Sequence, residues 1–199
     1  MTDADRTLSA KGRARRDQII EVAGRLFGQR GYAAVSLRDI AAEVGITHPL
    51  LAHYFRGKEE LLFAVMDSWR QRAERHRLIA DHDPEGIPDR IVALAEENER
   101  TPGYVALFSG LAADAIDPDH PAHDRFIEQY DTVYGLLLSF FRWAEQVGRL
   151  RTGVDPRVAA QSLIALEDGA QVQWLYRPDA VDVPAIVRSY LELVLAPQA

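Results

Sequence analysis

Apolar residues recur at helical spacing along almost the whole chain, and strand signals are scarce. In the first quarter Ile19, Ala23, Leu26 and Phe27 form one apolar stripe, and Gly31 marks the end of that helix. Similar stripes follow to the end of the chain. The pattern predicts an all-α protein of about nine helices.

Two short helical patterns follow the first helix and are joined by a tight turn at Gly45. Ser36 and Thr47 are expected to cap them, because a hydroxyl before a helix accepts a hydrogen bond from its first turn. The second short helix has only two turns, and Leu51 and Phe55 are expected to hold it from behind. Two short helices joined by a glycine turn predict a helix-turn-helix.

Clusters of Pro and Gly separate the later helical patterns. A fourth helix begins at Lys58, and further helices are predicted at 89–100, 103–115, 123–146, 156–176 and 184–195. We therefore expect a helix-turn-helix DNA-binding domain at residues 1–58, ordered from about residue 11. Residues 59–199 are expected to form a helical ligand-binding and dimerisation domain.

Charge is distributed unevenly between these two parts. The formal net charge is −7, but residues 11–58 hold nine Lys or Arg and four Asp or Glu, which gives +5 here and −12 elsewhere. A basic segment beside an acidic remainder favours a nucleic-acid-binding domain joined to a domain with another task. A basic face that is merely solvated has the same charge, so charge alone leaves both interpretations open.

Composition restricts the compartment and the chemistry. The chain contains no Cys, which excludes disulfides and thiolate sites. The longest apolar stretch, residues 133–141, is too short to cross a bilayer, and residues 1–12 lack the apolar core of a secretory signal. We expect a cytoplasmic protein that does not bind membranes and needs no cofactor.

The segment from Arg15 to Met66 resembles the TetR family of bacterial transcription regulators. The resemblance rests on three stretches in order, LFGQRGY, SLRDIAAEVGIT and LLAHYFRGKEELL. Ala52 and His53 stand where the family often has two aromatic residues. The resemblance implies a sequence-specific DNA-binding regulator, in most cases a repressor that a small-molecule effector releases from a palindromic operator.

Five predicted DNA contacts concern the phosphate backbone or its surroundings. Arg38, in the first turn of the helix before the turn, can reach a guanine edge or a phosphate. Thr47, His53 and Tyr54 are phosphate candidates, although Tyr54 can equally pack in the core of the domain. The resemblance assigns Lys58 to a contact that clamps the DNA backbone.

Three predicted contacts face the bases. His48, Pro49 and Leu50 lie on the leading surface of the short helix, where they offer a hydrogen-bonding ring and apolar contact to a thymine methyl group. One such helix contacts only half an operator. A homodimer is therefore expected, because two-fold symmetry matches a palindrome.

The last two helices are the predicted dimer interface, since small residues at helical spacing let helices approach closely. Its candidate residues are Ala159, Ser162, Ala165, Gly169, Val172, Ile186, Tyr190 and Leu193. Helical periodicity also fits an intramolecular core, and the two possibilities cannot be separated by pattern.

The middle helices are rich in aromatic residues and are expected to enclose an effector pocket. The candidate lining residues are Trp69, Tyr104, Phe108, Tyr134 and Trp174. Glu167 and Asp168 interrupt an otherwise apolar helix. They can bind a cationic ligand, or they can be surface or interface charges.

Two other classes of protein remain as alternatives. His120 and His123 stand three residues apart among carboxylates, as in a metal-dependent all-helical enzyme, although spacing identifies no third or fourth ligand and we expect no metal. A helical scaffold that binds only protein is the second alternative. A scaffold of this kind does not explain the basic first quarter of the chain or the two-turn helix.

Overall fold

The computed structural model describes residues 9–75 and 83–197, except for the side chains of 69–75. The helices in this part of the chain are α1 (Ala10–Arg30), α2 (Leu37–Val44), α3 (His48–Tyr54), α4 (Lys58–Arg75), α5 (Ile87–Glu99), α6 (Pro102–Asp114), α7 (His123–Gln146), α8 (Pro156–Tyr176) and α9 (Val183–Val194). The only extended pairing among the described residues is one antiparallel bridge between Leu150 and Leu195. The all-α prediction is confirmed.

Helix bounds follow the sequence pattern closely. α7 and α8 begin and end where the pattern placed them, whereas α5, α6 and α9 each begin one or two residues earlier. Each of these three helices has a proline, Pro88, Pro102 or Pro184, in its first turn. Proline is tolerated there because the first N–H groups of a helix have no intrahelical partner.

The chain divides into two compact units, the first ending at Trp69 and the second beginning at Arg70. The division falls inside α4, whereas the predicted functional boundary follows Lys58 and stays a prediction. None of the described helices combines the length and apolar character needed to span a membrane.

Capping groups determine where the helices of the first unit end. Gly31 ends α1 with φ 79°, and its N–H donates to Phe27 O. Ser36 caps α2 in a capping box with Asp39, in which each side chain accepts from the other residue's N–H. Gly45 ends α2 in the left-handed region at φ 74°, ψ 36°, so the chain turns at once toward α3.

The first unit is held by an apolar core that α1, α2, α3 and α4 share. Its fully buried side chains include Ile19, Leu26, Phe27, Val35, Ile40, Leu51, Phe55, Leu61 and Leu62. Burial of one such side chain stabilises the fold by about 1.5–3 kcal/mol. An ion pair between Arg25 and Glu43, 2.6 Å apart, also links α1 to α2.

The second unit has a continuous core in which α8 packs against α6, α7 and α9, and α9 packs against α5. Phe141 and Leu163 are inaccessible to solvent at its centre. Two polar contacts fix α9: the Tyr190 hydroxyl donates to Ala159 O at 2.9 Å, and Val183 N donates to Glu99 Oε1 at 3.1 Å.

Gly45→Ala is expected to lower the free energy of unfolding of the first unit by about 1–2 kcal/mol, because a Cβ is disfavoured in the left-handed region. Gly135→Ala is the control, since Gly135 lies inside α7 with open space around its Cα. That change is expected to stabilise by about 0.5–1 kcal/mol. Urea denaturation of the full chain measures both, and equal effects of the two substitutions would contradict the assignment.

Candidate DNA-binding surface and ligand sites

The two sides of α3 differ in exposure. Leu51 and Phe55 are inaccessible to solvent and attach the helix to the core. His48, Pro49 and Leu50 are exposed on the other side, and Leu50 keeps 42% of its surface in contact with solvent. An exposed leucine between a proline and the buried face is available for apolar contact with a base.

Arg38 and Thr47 are exposed as well. Thr47 is exposed and caps α3, with its Oγ1 accepting from Leu50 N at 3.4 Å. Arg38 is exposed in the first turn of α2. The structure thus exposes these two residues together with His48, Pro49 and Leu50.

His53 and Tyr54 lie at the other end of α3. His53 is exposed, and Tyr54 is partly buried with its ring 5.5 Å from that of His53 in an edge-to-face arrangement. Tyr54 therefore combines a ring contact with a part that is accessible to solvent.

The Lys58 side chain is held by the turn between α1 and α2. Its ammonium donates to Ala33 O at 3.3 Å and lies 4.2 Å from the centroid of the Tyr32 ring. Burial lowers the pKa of Lys58 below its ordinary value. An ammonium has three donors, so the bond to Ala33 leaves it able to donate to a phosphate.

Acidic residues are absent from the whole segment between Val44 and Glu59. Of the carboxylates that flank this segment, Glu43 pairs with Arg25 and Glu60 accepts from Arg56 N at 2.7 Å. The exposed side of α3 therefore presents no carboxylate, and Arg56 and Lys58 follow it in the chain, a combination that suits the phosphates and base edges of DNA.

Glu167 and Asp168 are partly buried in α8 and have neutral partners. Gln171 Nε2 donates to Glu167 Oε1 at 3.1 Å, and the Tyr130 hydroxyl donates to Asp168 Oδ2 at 2.9 Å. Within the described residues, no Lys, Arg or His forms an ion pair with either carboxylate. Burial and then the Asp168 charge raise the pKa of Glu167 to about 7.

The hydrogen bond between α7 and α8 also affects both of its members. Burial raises the pKa of Asp168, and the bond from Tyr130 offsets part of that rise. Burial, followed by the Asp168 charge, raises the pKa of Tyr130.

The Tyr130 ring lies 6.3 Å from that of Phe126, which makes an edge-to-face contact with Phe108 at 5.4 Å. Aromatic rings thus continue from the carboxylates toward α6.

The predicted effector-pocket residues have different surroundings. Trp174 is buried in the core of the second unit, and Tyr104 and Tyr134 pack against that core as partly buried residues. Phe108 is the member that joins the ring cluster beside Tyr130. The Trp69 side chain lies outside the described residues.

The predicted dimer residues of α8 and α9 are mostly accessible. Ala165, Gly169, Val172 and Leu193 are exposed, with Leu193 at 71%, while Ser162, Ile186 and Tyr190 are partly buried. One member needs correction: Ala159 is 2% exposed in the single chain and so belongs to its own core. The stripe deviates there because Ala159 faces α9, where its carbonyl accepts from Tyr190.

Exposed apolar side chains that the stripe omitted extend the same face. Val158 is 57% exposed and Tyr176 is 83% exposed, at the two ends of α8. Their helical spacing from Ala165 and Gly169 would have indicated them if large residues had been considered beside small ones.

The two histidines of the metal alternative make local contacts. Ala122 N donates to His120 Nδ1 at 3.1 Å, and the His123 ring lies 2.8 Å from Ala115 O through Nδ1. In residues 9–75 and 83–197 no three His, Asp or Glu are grouped as metal ligands.

Two functional partners were absent from the sequence interpretation. Tyr32, which directly follows the α1 cap, holds the Lys58 ammonium, and Tyr130 bonds to Asp168. The position of Tyr32 beside Gly31 was a usable signal. Tyr130 is 38 residues from Asp168, and no local pattern indicates such a pair.

Comparison with known families supports both units of the chain. The family described as "Bacterial regulatory proteins, tetR family" matches residues 19–65. The family described as "BetI-type transcriptional repressor, C-terminal" matches residues 93–196, which is more than half of the chain.

Individual proteins give the same result. The chain is 26% identical to the HTH-type transcriptional regulator PksA of Bacillus subtilis, over 90% of this chain and 88% of that protein. It is 29% identical to the HTH-type transcriptional regulator TtgR of Pseudomonas putida, over 89% and 88%. A transcriptional regulator from Saccharomonospora viridis, solved in complex with choline, has the same fold with a TM-score of 0.74 and 22% identity, over 92% of this chain and 98% of that one.

Proposed function

The chain belongs to the TetR family of bacterial transcriptional regulators, and we propose that it is a homodimeric repressor that a small-molecule effector releases from a palindromic operator. The exposed side of α3 carries this proposal. It lacks carboxylates, it is held rigidly from behind by Leu51 and Phe55, and it begins at a capped helix terminus. Such a regulator acts on DNA, so we expect it in the cytoplasm.

In the proposed complex α3 enters the major groove. His48 donates to or accepts from a base edge, and Pro49 and Leu50 contact a thymine methyl group. Arg38 and Thr47 bind at its margin, where Arg38 can reach either a guanine or a phosphate.

The remaining contacts are proposed at the phosphates. Lys58 donates to one phosphate while the Tyr32 ring and Ala33 carbonyl hold its ammonium in place. His53 and the accessible part of Tyr54 contact the backbone at the end of α3. These contacts carry little sequence information, and their contribution falls as salt rises.

The proposed dimer interface is the exposed face of α8 and α9. Four of the eight large hydrophobic side chains that the described residues expose lie on these two helices: Val158, Val172, Tyr176 and Leu193. The small residues Ala165 and Gly169 lie between them on α8 and permit close approach, while Ser162, Ile186 and Tyr190 border the face. A second copy placing the same face against this one buries the whole patch.

The effector is proposed to be a small organic cation bound between α7 and α8. Glu167 and Asp168 have only neutral partners among the described residues, and a bound cation would supply the missing charge. The rings of Phe108, Phe126 and Tyr130 provide aromatic faces beside them, which attract cations. Tyr104, Tyr134, Trp69 and Trp174 remain proposed lining residues. The choline-bound relative shares the fold at low identity, so the proposal depends on this chain's own carboxylates.

Release from DNA is proposed to follow from a shift between two shapes of the dimer. The effector binds one shape more tightly, and the other has its two α3 helices one DNA turn apart or a multiple of it. A coupling of about 1–3 kcal/mol between the two sites is typical of such regulators. α4 is the described helix that belongs to both compact units, so we assign the transmission to it.

Selection from random DNA is expected to return a palindrome with half-sites about 10 base pairs apart or a multiple of this. On that operator, His48→Ala is expected to weaken binding about tenfold and to relax preference at one base pair per half-site. Lys58→Met is expected to reduce the slope of log binding constant against log salt concentration by about one for each subunit, without changing base preference. The control is Arg142→Ala, an exposed arginine of α7. Wild-type affinity in both test variants would contradict the proposed surface.

Leu193→Asp and Val172→Asp are each expected to raise the dimer dissociation constant more than tenfold, because a charge would be buried against an apolar face. Sedimentation velocity over a range of concentrations measures this. Ile127→Asp provides the matched control, since Ile127 is 49% exposed on α7 and lies outside the proposed face. A monomeric wild-type chain at all concentrations, or equal disruption by Ile127→Asp, would exclude this interface.

Choline is a suitable probe of the effector site and is expected to raise the melting temperature more at pH 8 than at pH 6. The pKa of Glu167 is about 7, so its carboxylate is charged at the higher pH and largely neutral at the lower one. Glu167→Gln and Asp168→Asn should reduce the shift, whereas Glu145→Gln, on the exposed surface of α7, should not. The neutral isostere 3,3-dimethylbutan-1-ol controls for shape. An equal shift with this alcohol, or none with choline at either pH, would refute a cation site.

A further inference from the structure

A cavity lies in the second unit, and neither Glu167 nor Asp168 of α8 lines it. It has a volume of about 430 Å³ and lies between α5, α9, the segment after α7 and the last described residues of the chain. This volume is within the range of about 300–1,000 Å³ that small-ligand sites occupy. Three arginines line it: Arg149, Arg151 and Arg188.

The backbone holds two of these arginines in place. Gly148, at φ 72°, ends α7 and turns the chain, after which Arg149 N donates to Ala144 O at 2.7 Å. Ala196 N donates to Arg149 O at 2.8 Å, and Arg151 Nε donates to Leu195 O at 3.1 Å. The segment after α7 and the end of the chain are therefore clamped together on one side of the cavity.

The guanidinium groups in the cavity have unused hydrogen-bonding capacity. Arg149 Nε is inaccessible to solvent and has no hydrogen-bond partner among the described residues. Arg188, on α9, forms no ion pair with a described residue. A buried charged donor without a partner is unfavourable, and a carboxylate would satisfy it in the bidentate geometry that arginine prefers.

Three carboxylates also border the cavity, but they differ in their surroundings from Arg149, whose Nε is buried. Glu85, Asp89 and Glu192 are exposed, and none forms an ion pair with the lining arginines. Water solvates all three, so none of them is left buried without a partner as Arg149 Nε is. The buried polar group that needs a partner is cationic, which selects an anion.

Part of the cavity lining is apolar. Val92 of α5 and Leu191 and Leu195 at the end of α9 are buried side chains that line it. A ligand that contacts both the arginines and these apolar side chains needs a charged head and a hydrocarbon part.

The cavity is distinct from the proposed effector site and from the proposed dimer interface. Its arginines have the opposite charge to Glu167 and Asp168. On α9, Arg188 and Leu193 are five residues apart, which separates them by about 140° around the helix axis. A second copy bound to the Leu193 face would therefore leave the Arg188 side open.

We propose that this cavity binds an amphiphilic organic anion, a carboxylate with a short hydrocarbon chain, whose head pairs with Arg149 and Arg188 and whose chain packs on Val92, Leu191 and Leu195. Such a ligand contacts α5, α9 and the segment after α7 at the same time, and so stabilises the second unit. Its binding does not depend on DNA or on the cationic effector.

Isothermal titration of the full chain with sodium octanoate tests this proposal. Saturable binding of one octanoate per chain is expected, with at least tenfold weaker binding of octan-1-ol, which lacks the charge, and of sodium acetate, which lacks the chain. Arg149→Gln and Arg188→Gln should each weaken octanoate binding at least tenfold, because each removes a charge-assisted pair.

Two controls locate the effect. Arg142→Gln removes an exposed arginine near the end of α7 that does not line the cavity, and Glu167→Gln alters the other site; both should bind octanoate as the wild type does. If Arg149→Gln does not fold, Arg188→Gln, whose side chain is exposed, decides alone. Absence of saturable binding by the wild type, or unchanged binding by Arg188→Gln, overturns the proposal and leaves the DNA-binding function untouched.

Discussion

Burial of Leu51 and Phe55 determines what the rest of α3 can do. A helix of two turns is too short to be stable alone, so its stability comes from packing. Because both side chains are inaccessible to solvent, the remaining side of α3 is held outward at a fixed angle. The left-handed turn at Gly45 is the second half of this constraint, since it brings the chain from α2 into α3 without an intervening loop.

The two units also differ in their charged residues. The first unit carries the basic segment and leaves the α3 surface without carboxylates. The second unit keeps two carboxylates, Glu167 and Asp168, partly buried against neutral partners. Holding such groups away from water is unfavourable, and the proposed cationic effector rests on that cost, whereas DNA, the partner of the first unit, is an anionic polymer. The negative net charge of the chain therefore comes from the second unit and does not reflect the charge of the α3 surface.

The fold was predictable because its signals are local. Helical stripes, prolines in first turns and caps at Ser36 and Thr47 each act within a few residues, and the helix bounds accordingly agree to within two residues. The TetR resemblance was equally accessible, since it depends on the order of short stretches in one segment. Both predictions are confirmed.

The details of the sites depend on contacts between distant parts of the chain, and these were harder to predict. Periodicity placed Ala159 on the interface stripe, but packing of α8 against α9 places it in the core. The bond from Tyr130 to Asp168 and the cavity around Arg149 combine residues from separate helices, for which no spacing rule exists. The assignments of the DNA, effector and dimer residues remain predictions, supported by exposure and by partners.

The proposed phosphate contact of Lys58 has a consequence for how tightly DNA is bound. A free lysine side chain loses about 1.5–2 kcal/mol of rotamer entropy when it is immobilised. Here the Tyr32 ring and the Ala33 carbonyl already restrict the ammonium before any phosphate arrives, so much of that entropic loss occurs on folding rather than on association. The first unit is in this respect preorganised, and its affinity for a phosphate at this position reflects the charge itself more than the ordering of the chain.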